Sequence, residues 1–243
     1  DLTPEPKALS IPLFFSGEAE AECVFGRVRP ALEETLLRRG YAVVQWSRLG
    51  ALHLFCTAPR RSPADMATSR FFAQEGDPRA AEAWRAAGFH PVQLSANDLY
   101  PALQTGMVDC VPSLPIYVLT ARLFEKARHM MDLPWGHMYG ATIVRRDAWE
   151  RIPADVRTRL VEVARETGLR ADAEVRRMND EALAAMKARG LSVVPVDPGP
   201  WREAMKEAHR LLRGDVVPAP FFDRLAAARE ACRSAPETAA PGR

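Results

Sequence analysis

Residues 94–115 read LSANDLYPALQTGMVDCVPSLP and carry the clearest structural signals in the chain. Ser95 and Asp98 have the S-x-x-D spacing of a capping box, which predicts a short helix beginning at Ser95. Gly106 can adopt the left-handed conformation that ends such a helix, and an extended run starts at Met107. This succession of strand, helix, glycine and strand is typical of open α/β sheets, where ligands collect at the carboxyl ends of strands.

Helical and extended patterns alternate along the rest of the chain. The predicted helices lie over 17–39, 79–87, 115–129, 155–189, 201–213 and 219–232. The predicted strands lie over 41–45, 52–56, 70–73, 91–94, 107–111, 139–144 and 191–196. This alternation favours an α/β fold with mostly parallel strand pairing.

The helical pattern over 155–189 is unusually long. At a rise of about 1.5 Å per residue it would reach about 50 Å. A rod of that length predicts a helix that braces more than one packed unit, with Gly168 as a position where it can kink.

Composition and charge exclude several classes of protein. Of the 243 residues, 33 are Lys or Arg and 31 are Asp or Glu, so the net charge is +2. No basic stripe accompanies that balance, and we expect no nucleic-acid partner. No run of about eighteen apolar residues is present, so no segment is predicted to span a membrane. Residues 234–243 are rich in Pro, Ala and polar residues and are predicted to be disordered.

No catalytic or metal-binding pattern is present. The five histidines are scattered without a metal-ligand spacing, and no nucleophile elbow, Walker or dinucleotide glycine motif occurs. The four cysteines, Cys23, Cys56, Cys110 and Cys232, form no C-x-x-C pair and would allow three disulfide connectivities. We expect buried free thiols. The sequence therefore predicts no enzyme, no metal and no cofactor, with a Cys–His hydrolase as an alternative.

Residues 100–109 read Y-x-A-L-Q-x-G-x-V-D, which resembles the signature of the DctP-type solute-binding proteins of tripartite ATP-independent periplasmic (TRAP) transporters. Residues 9–15 (LSIPLFF), 62–66 (SPADM) and 149–157 (WERIPADVR) resemble further segments of the same family, in the same order. The resemblance covers nearly the whole chain.

The resemblance implies a two-lobed periplasmic binding protein-like α/β fold, with crossing strands and a long lobe-bridging helix. The first lobe would keep residues 1–72, the second would take 73–154, the bridging helix 155–189, and a C-terminal strand and helices 190–233. Members usually carry a further segment before the part that resembles residues 9–15. The resemblance therefore implies an N-terminally truncated chain with an incomplete first lobe.

The same resemblance implies a periplasmic function. A family member captures a small organic solute between its lobes and delivers it to the membrane subunits of a TRAP transporter, without chemistry on the solute. A ligand-sensing module without transport is the alternative that keeps the fold.

The family's carboxylate-binding motif is altered in this chain. Members read D-L-x-G-x-K-x-R, and the final arginine makes a bidentate contact with the ligand carboxylate. From Asp65 this chain reads DMATSRFF, so Arg70 takes the lysine position and Phe72 the arginine position. The predicted ligand contacts are Arg70, Phe72, Gln74, Asn97, Ser113, Trp135 and Tyr139. We expect a solute less acidic, or more aromatic, than a C4-dicarboxylate.

Each of these residues also has a purely structural interpretation. Phe72 is suited to packing inside a strand, and Trp135 and Tyr139 to packing between lobes. Arg70 fits a surface cation equally well, and the polar residues fit ordinary loop or cap positions.

Overall fold

Two long strands run antiparallel through the computed structural model, which describes residues 2–86 and 88–234. β1 (Tyr41–Cys56) and β5 (His129–Arg145) pair from Tyr41 opposite Arg145 to Cys56 opposite His129. The prediction of two strands over 41–45 and 52–56 was wrong, because Gly50 does not end the strand. With φ +106° it lies at a register shift between Arg48 and Gly50, where a bulge lets the strand continue.

One end of this ribbon forms part of a mixed sheet. The other strands are β2 (Arg70–Gln74), β3 (His90–Leu94), β4 (Cys110–Ser113) and β6 (Ser192–Val194). In the described part of the chain the sheet has six strands in the order β3-β2-β4-β1-β5-β6. β2 runs parallel to β3 and β4, and β6 parallel to β5, whereas β1 is antiparallel to both β4 and β5. Three of the five strand pairs are parallel, as predicted, although the long antiparallel β1–β5 ribbon supplies most of the paired residues.

The helices connect and cover these strands. They are α1 (Glu18–Arg38), α2 (Pro63–Met66), α3 (Pro78–Ala86), α4 (Leu99–Gln104), α5 (Pro115–Thr120), α6 (Arg146–Glu150), α7 (Ala154–Ala188), α8 (Pro198–Asp215) and α9 (Ala219–Ser234). Short 3₁₀ helices cover Glu5–Ser10, Ala96–Asp98 and Leu123–Glu125. Among the described residues, no helix is both long enough and apolar enough to cross the hydrocarbon core of a membrane.

Local signals predicted the turn before β4 correctly but not the helix after it. Ser95 caps the 3₁₀ turn by accepting a hydrogen bond from the Asn97 backbone N–H at 3.4 Å, and Gly106 has φ +71° beyond α4. The single helix predicted over 115–129 is instead interrupted, because Arg122 lies in the left-handed region at φ +58°. β5 then begins at His129, well before the predicted strand over 139–144.

α7 confirms the predicted long helix to within one residue at each end. Its 35 residues run as one helix through Gly168. A Cβ at Gly168 would lie 2.6 Å from Nε2 of Gln45 on β1. The glycine thus lets α7 approach the ribbon closely.

The buried apolar residues form three clusters. The cluster on one face of the sheet, beneath α3 and α8, includes Leu54, Phe71, Trp84, Met131 and Trp201. The cluster on the other face, beneath α4, α5 and the end of α7, includes Phe55, Leu103, Val118, Met130 and Met186. The third joins the N-terminal segment to α1 and α9 and includes Leu9, Phe25, Leu32, Phe222 and Leu225. The lobe boundaries at residues 72 and 154 stay a prediction.

All four cysteines form disulfides, so the expectation of free thiols was wrong. Cys23 is bonded to Cys232, which joins α1 to α9, and Cys56 is bonded to Cys110, which faces it across the β1–β4 pair. The Cys–His hydrolase alternative loses its nucleophile, since none of the four cysteines is free.

The predicted disordered tail over 234–243 falls outside the described residues except for its first position. Ser234 is the last residue of α9, and residues 235–243 lie outside the described residues.

Candidate ligand-binding groove

A groove of about 650 Å³ lies at the carboxyl end of β2, next to the ribbon. Its walls come from residues 71–77 after and within β2, Pro112 of β4, Leu52 and Trp135 of the ribbon, and the end of α8. We call this cavity the groove. It occupies the edge of the sheet where ligands bind in open α/β proteins.

Aromatic side chains form the floor of the groove. Trp84 of α3 meets Phe71 edge-on at 5.5 Å between ring centroids, and lies 6.2 Å from the tilted ring of Trp135. Trp135 in turn contacts Trp201 edge-on at 6.2 Å. Phe71 and Trp135 are each 2% exposed. The floor is therefore preformed and held by core packing, in the offset and edge-to-face geometries that aromatic pairs favour.

The N-terminal segment forms a further wall by running against β5. The backbone N–H of Leu13 donates to the carbonyl of Trp135 at 2.7 Å, and the Ser10 hydroxyl donates to the carbonyl of His137 at 2.8 Å. A Cβ at Gly136 would lie 3.2 Å from the Ser10 carbonyl oxygen. The missing side chain at Gly136 thus allows the close approach that seats residues 10–12 in the groove wall.

The groove contains few charges, and most of them are already paired. Lys7 Nζ lies 2.7 Å from Asp77 Oδ2, and the other oxygen of Asp77 accepts a hydrogen bond from the Ala80 N–H at 3.2 Å. Glu75 is exposed at the rim. Its carboxylate has no hydrogen bond or ion pair with the described residues.

Three of the seven predicted ligand contacts line the groove: Phe72, Gln74 and Trp135. Phe72 is half-buried and packs partly against the cluster beneath α4 and α5. Gln74 is exposed at the end of β2. The structure therefore brings an aromatic floor and one amide together from the predicted set.

Arg70 lies at the other end of β2. Its guanidinium contacts both carboxylate oxygens of Asp109, at 3.2 and 3.3 Å, and its backbone N–H donates to the same carboxylate at 2.9 Å. Burial opposes ionisation of Asp109, but these hydrogen bonds outweigh it and lower the pKa of the carboxyl. At about 3.3 Å per residue, Arg70 and Gln74 are about 13 Å apart along the strand. Arg70 therefore pairs with Asp109 and does not line the groove.

The remaining predicted contacts lie outside the groove lining in the described structure. Asn97 is exposed in its 3₁₀ turn, and Ser113 is buried in β4 opposite His53. Tyr139 stacks on Phe25 at 4.7 Å. Burial first, and then the nearby Glu22, raises the pKa of the Tyr139 hydroxyl. A binding role for these three residues stays a prediction.

Sequence reasoning missed Leu52, Trp84 and Pro112 as groove residues. Leu52 and Trp84 were assigned to a strand and a helix as ordinary apolar residues, and Pro112 lies just after the predicted strand over 107–111. Their signal exists only in three dimensions, since they come from β1, α3 and β4. Apolar periodicity identifies a buried face but not the part of that face that borders a cavity.

A second cavity, of about 270 Å³, lies between α7 and the ribbon. We call it the polar cavity. Asp172 accepts hydrogen bonds from the Arg48 backbone N–H and guanidinium, both at 2.9 Å. Asn179 donates to the Leu49 carbonyl at 3.0 Å and accepts from the Ile116 N–H at 3.1 Å. These side chains fasten α7 to β1 and to the start of α5.

Two histidines also line the polar cavity. His53 and His137 lie on β1 and β5, and His137 is 5% exposed. Burial lowers the pKa of both imidazoles, against the opposing influence of Asp132 on His53 and of Glu18 on His137. Burial therefore disfavours the charged imidazolium form at both positions.

Comparison with known proteins decides the family. Residues 1–214 match the model of DctP, the bacterial extracellular solute-binding proteins of family 7. The chain belongs to this family. One member, the C4-dicarboxylate-binding periplasmic protein DctP of Rhodobacter capsulatus, is 30% identical over 128 residues, which are 51% of this chain and 38% of that protein. The chain spans between 38% and 58% of the length of the curated relatives that it matches.

Solved structures of the DctP family agree with the fold. A TRAP periplasmic solute-binding protein from Shewanella oneidensis, with bound succinate, has a TM-score of 0.81 and 18% identity, covering 94% of this chain and 76% of that one. DctP7 of Bordetella pertussis, which binds pyroglutamic acid, has a TM-score of 0.78 and 20% identity, covering 93% and 75%. The chain thus has the α/β fold of TRAP solute-binding proteins, with α7 as its long helix.

Proposed function

We propose that the protein captures a small organic solute in the groove and delivers it to the membrane subunits of a TRAP transporter. The observation that carries this proposal is the groove itself. Its volume of about 650 Å³ lies within the range of about 300–1,000 Å³ that is typical of ligand pockets. A preformed aromatic floor with a few polar groups at the rim is the lining that such pockets have.

The proposed compartment is the periplasm. The family is extracellular by description, and both pairs of cysteines are oxidised here. Disulfides form and persist in oxidising compartments and are rare in the cytosol. The two observations support the same location independently.

The groove also supports a mechanism of capture by population shift. One wall consists of the sheet and the other of the N-terminal segment and the end of α8. A solute that contacts both walls at once favours conformations in which they lie close together. Capture of this kind makes and breaks no covalent bond in the solute.

Solute titration of the purified protein tests capture. Because Trp84 and Trp135 line the groove, an occupying solute should change the intrinsic fluorescence, and calorimetry should give a matching Kd. Gln74→Ala should weaken binding about three- to tenfold by removing a hydrogen bond. Gln93→Ala, on the neighbouring strand β3 and outside the groove lining, is the matched control. Equal losses from both variants would contradict the proposed site.

Delivery is tested separately by uptake of a labelled solute. Cells that express the cognate TRAP membrane subunits should accumulate the solute only when this protein is also present. Solute binding without any effect on uptake would instead favour the sensing alternative.

A further inference from the structure

Charged side chains are few in the groove, and two of them are paired with each other. Among the described residues of the lining, only Lys7, Glu75 and Asp77 are charged. Lys7 Nζ lies 2.7 Å from Asp77 Oδ2, and the two side chains are 32% and 25% exposed. Glu75 is exposed at the rim, where water screens its interaction with a charged guest. The described lining therefore offers an entering ion no opposite charge except one that is already neutralised or solvated.

Asp77 is held in this pair from a second side. Its other carboxylate oxygen accepts a hydrogen bond from the Ala80 N–H at 3.2 Å, at the start of α3. A carboxylate at a helix N-terminus is also stabilised by the helix dipole. A guest carboxylate that approached Lys7 would compete with this anchored carboxylate and would be repelled by it.

The cations next to the groove are engaged elsewhere. Arg79 of α3 donates to the Asp215 carbonyl at 3.1 Å, and Arg213 makes two hydrogen bonds of 2.7 Å to the carboxylate of Asp223. Phe72 takes the sequence position of the family's carboxylate-binding arginine. A bidentate guanidinium contact, a strong means of holding a carboxylate, therefore has no donor among the described residues of the lining.

The hydrogen-bonding groups of the groove suit an uncharged guest. The Gln74 side chain is exposed at the end of β2, and its amide has no hydrogen bond with the described residues. A carboxamide has two N–H donors and a carbonyl acceptor, which match an amide group on a guest. The rest of the lining is mainly apolar. An ion brought onto it loses hydration that no opposite charge replaces, whereas an uncharged amide loses much less.

We propose that the groove selects a small uncharged amide over the corresponding carboxylic acid or amine. The amide of the guest would pair with Gln74, and its hydrocarbon part would lie on the apolar lining. This inference rests on the proposed function, because it names the solute class of the same groove. It distinguishes this chain from its structural neighbours with bound succinate and pyroglutamic acid.

Calorimetry on the whole protein with matched probes tests this selection. Pyroglutamate, pyroglutamamide and 5-(aminomethyl)-2-pyrrolidinone share one ring and differ in a carboxylate, a carboxamide or an ammonium group. Succinate and succinamide form a second pair. We expect each amide to bind at least about tenfold more tightly than its acid, and pyroglutamamide more tightly than the amine.

The possible outcomes separate this inference from solute capture. Tighter binding of a charged member of either series would overturn the inference and leave solute capture standing. Failure of every probe would overturn the inference, and failure of a wider panel of organic acids and amides as well would overturn solute capture.

Asp77→Asn tests the paired cation directly. Asparagine caps a helix about as well as aspartate, so the first turn of α3 should be kept, which circular dichroism checks. The change removes the carboxylate that neutralises Lys7, so pyroglutamate should bind about three- to tenfold more tightly, while the affinity for pyroglutamamide should change little. Asp98→Asn, at an exposed position outside the lining, should change neither affinity. An unchanged ratio of the two affinities in Asp77→Asn would contradict the role assigned to the Lys7–Asp77 pair.

Gln74→Arg adds a guanidinium group to the groove and gives an independent test. Because Gln74 is exposed, its replacement should leave the fold intact. The ratio of affinities should shift at least about tenfold toward pyroglutamate, since a charge is gained and the amide is lost. Gln104→Arg, on an exposed position of α4 outside the lining, should keep the original ratio. An undiminished preference for pyroglutamamide in Gln74→Arg would show that charge does not govern selection in the groove.

Discussion

The groove and the polar cavity are built on opposite principles. The polar cavity contains Arg48, Asp172 and Asn179, and each of them bonds to another part of the same chain. The groove is lined mainly by apolar side chains, and the aromatic rings at its floor are almost entirely buried by their packing on one another. The difference indicates that this protein uses its buried polar contacts to hold itself together. The groove, by contrast, has a mainly apolar lining.

Replacing Trp135 should have the largest effect on this comparison. Trp135→Ala should lower the free energy of unfolding by about 4 kcal/mol, because it empties a core position that is 2% exposed. It should also abolish solute binding. Trp135→Phe keeps an aromatic floor and should lose much less of either quantity. Urea denaturation and calorimetry measure both, and a loss below about 1 kcal/mol in Trp135→Ala would mean that the floor is not preformed.

Asp172→Ala should have the second-largest effect, and it should lower the stability of the fold without changing solute affinity. It removes the acceptor of two Arg48 hydrogen bonds. We expect a loss of about 2–3 kcal/mol, at the lower end for a broken buried pair because the Arg48 side chain is 36% exposed. Asp172→Asn keeps the size and one acceptor and should lose about half as much. A changed solute affinity in either variant would show that the polar cavity also contributes to solute binding.

Acid should weaken the polar cavity in a defined direction. The pKa values of His53 and His137 are lowered by burial, so the unfolded chain binds protons more readily than the folded one. Stability from these groups is fully present above the unfolded pKa of about 6.5 and is lost as the pH falls below it. The Tm should therefore decrease from pH 7 to pH 5. This decrease should be smaller than the decrease in Tm caused by Trp135→Ala or by Asp172→Ala.

His137→Asn should reduce this slope, whereas Asn97→Ala, an exposed residue that does not titrate, should leave it unchanged. A Tm that is independent of pH over this interval would show that burial does not lower the pKa of these histidines.

Arg70→Gln should have the smallest effect. The Arg70 side chain is 53% exposed and its pair with Asp109 is partly solvated, so we expect a loss of at most about 1 kcal/mol. Solute affinity should stay the same, because Arg70 lies outside the groove lining. Loss of binding in Arg70→Gln, measured by calorimetry, would indicate that the solute binds at the opposite end of β2.

Sequence reasoning was most accurate where a few neighbouring residues decide the structure. The turn at Ser95, the left-handed Gly106 and the extent of α7 follow from capping, glycine conformation and helical periodicity, which act over one or two turns of chain. Gly50 shows the limit of such signals. A glycine with positive φ fits a turn or a bulge, and the pairing of β1 with β5 selects the bulge.

The candidate site was predictable only in part, for the same reason. Phe72, Gln74 and Trp135 were identified through the resemblance or their residue type, and they do line the groove. Trp84 was missed because nothing in the α3 sequence indicates that its ring meets that of Trp135. Arg70 fits a ligand anchor until the structure shows Asp109 against its guanidinium.

The sequence by itself determined the α/β class, the long helix and the family, because these depend on periodicity and on motifs with fixed spacing. Tertiary structure alone decided which cysteines pair, which cation is neutralised and which aromatic rings meet at the groove. Those outcomes depend on distances between residues far apart in the chain, such as Cys56 and Cys110, which β1–β4 pairing places opposite each other. Such distances are set by the packing of all the elements together, and local preferences do not specify them.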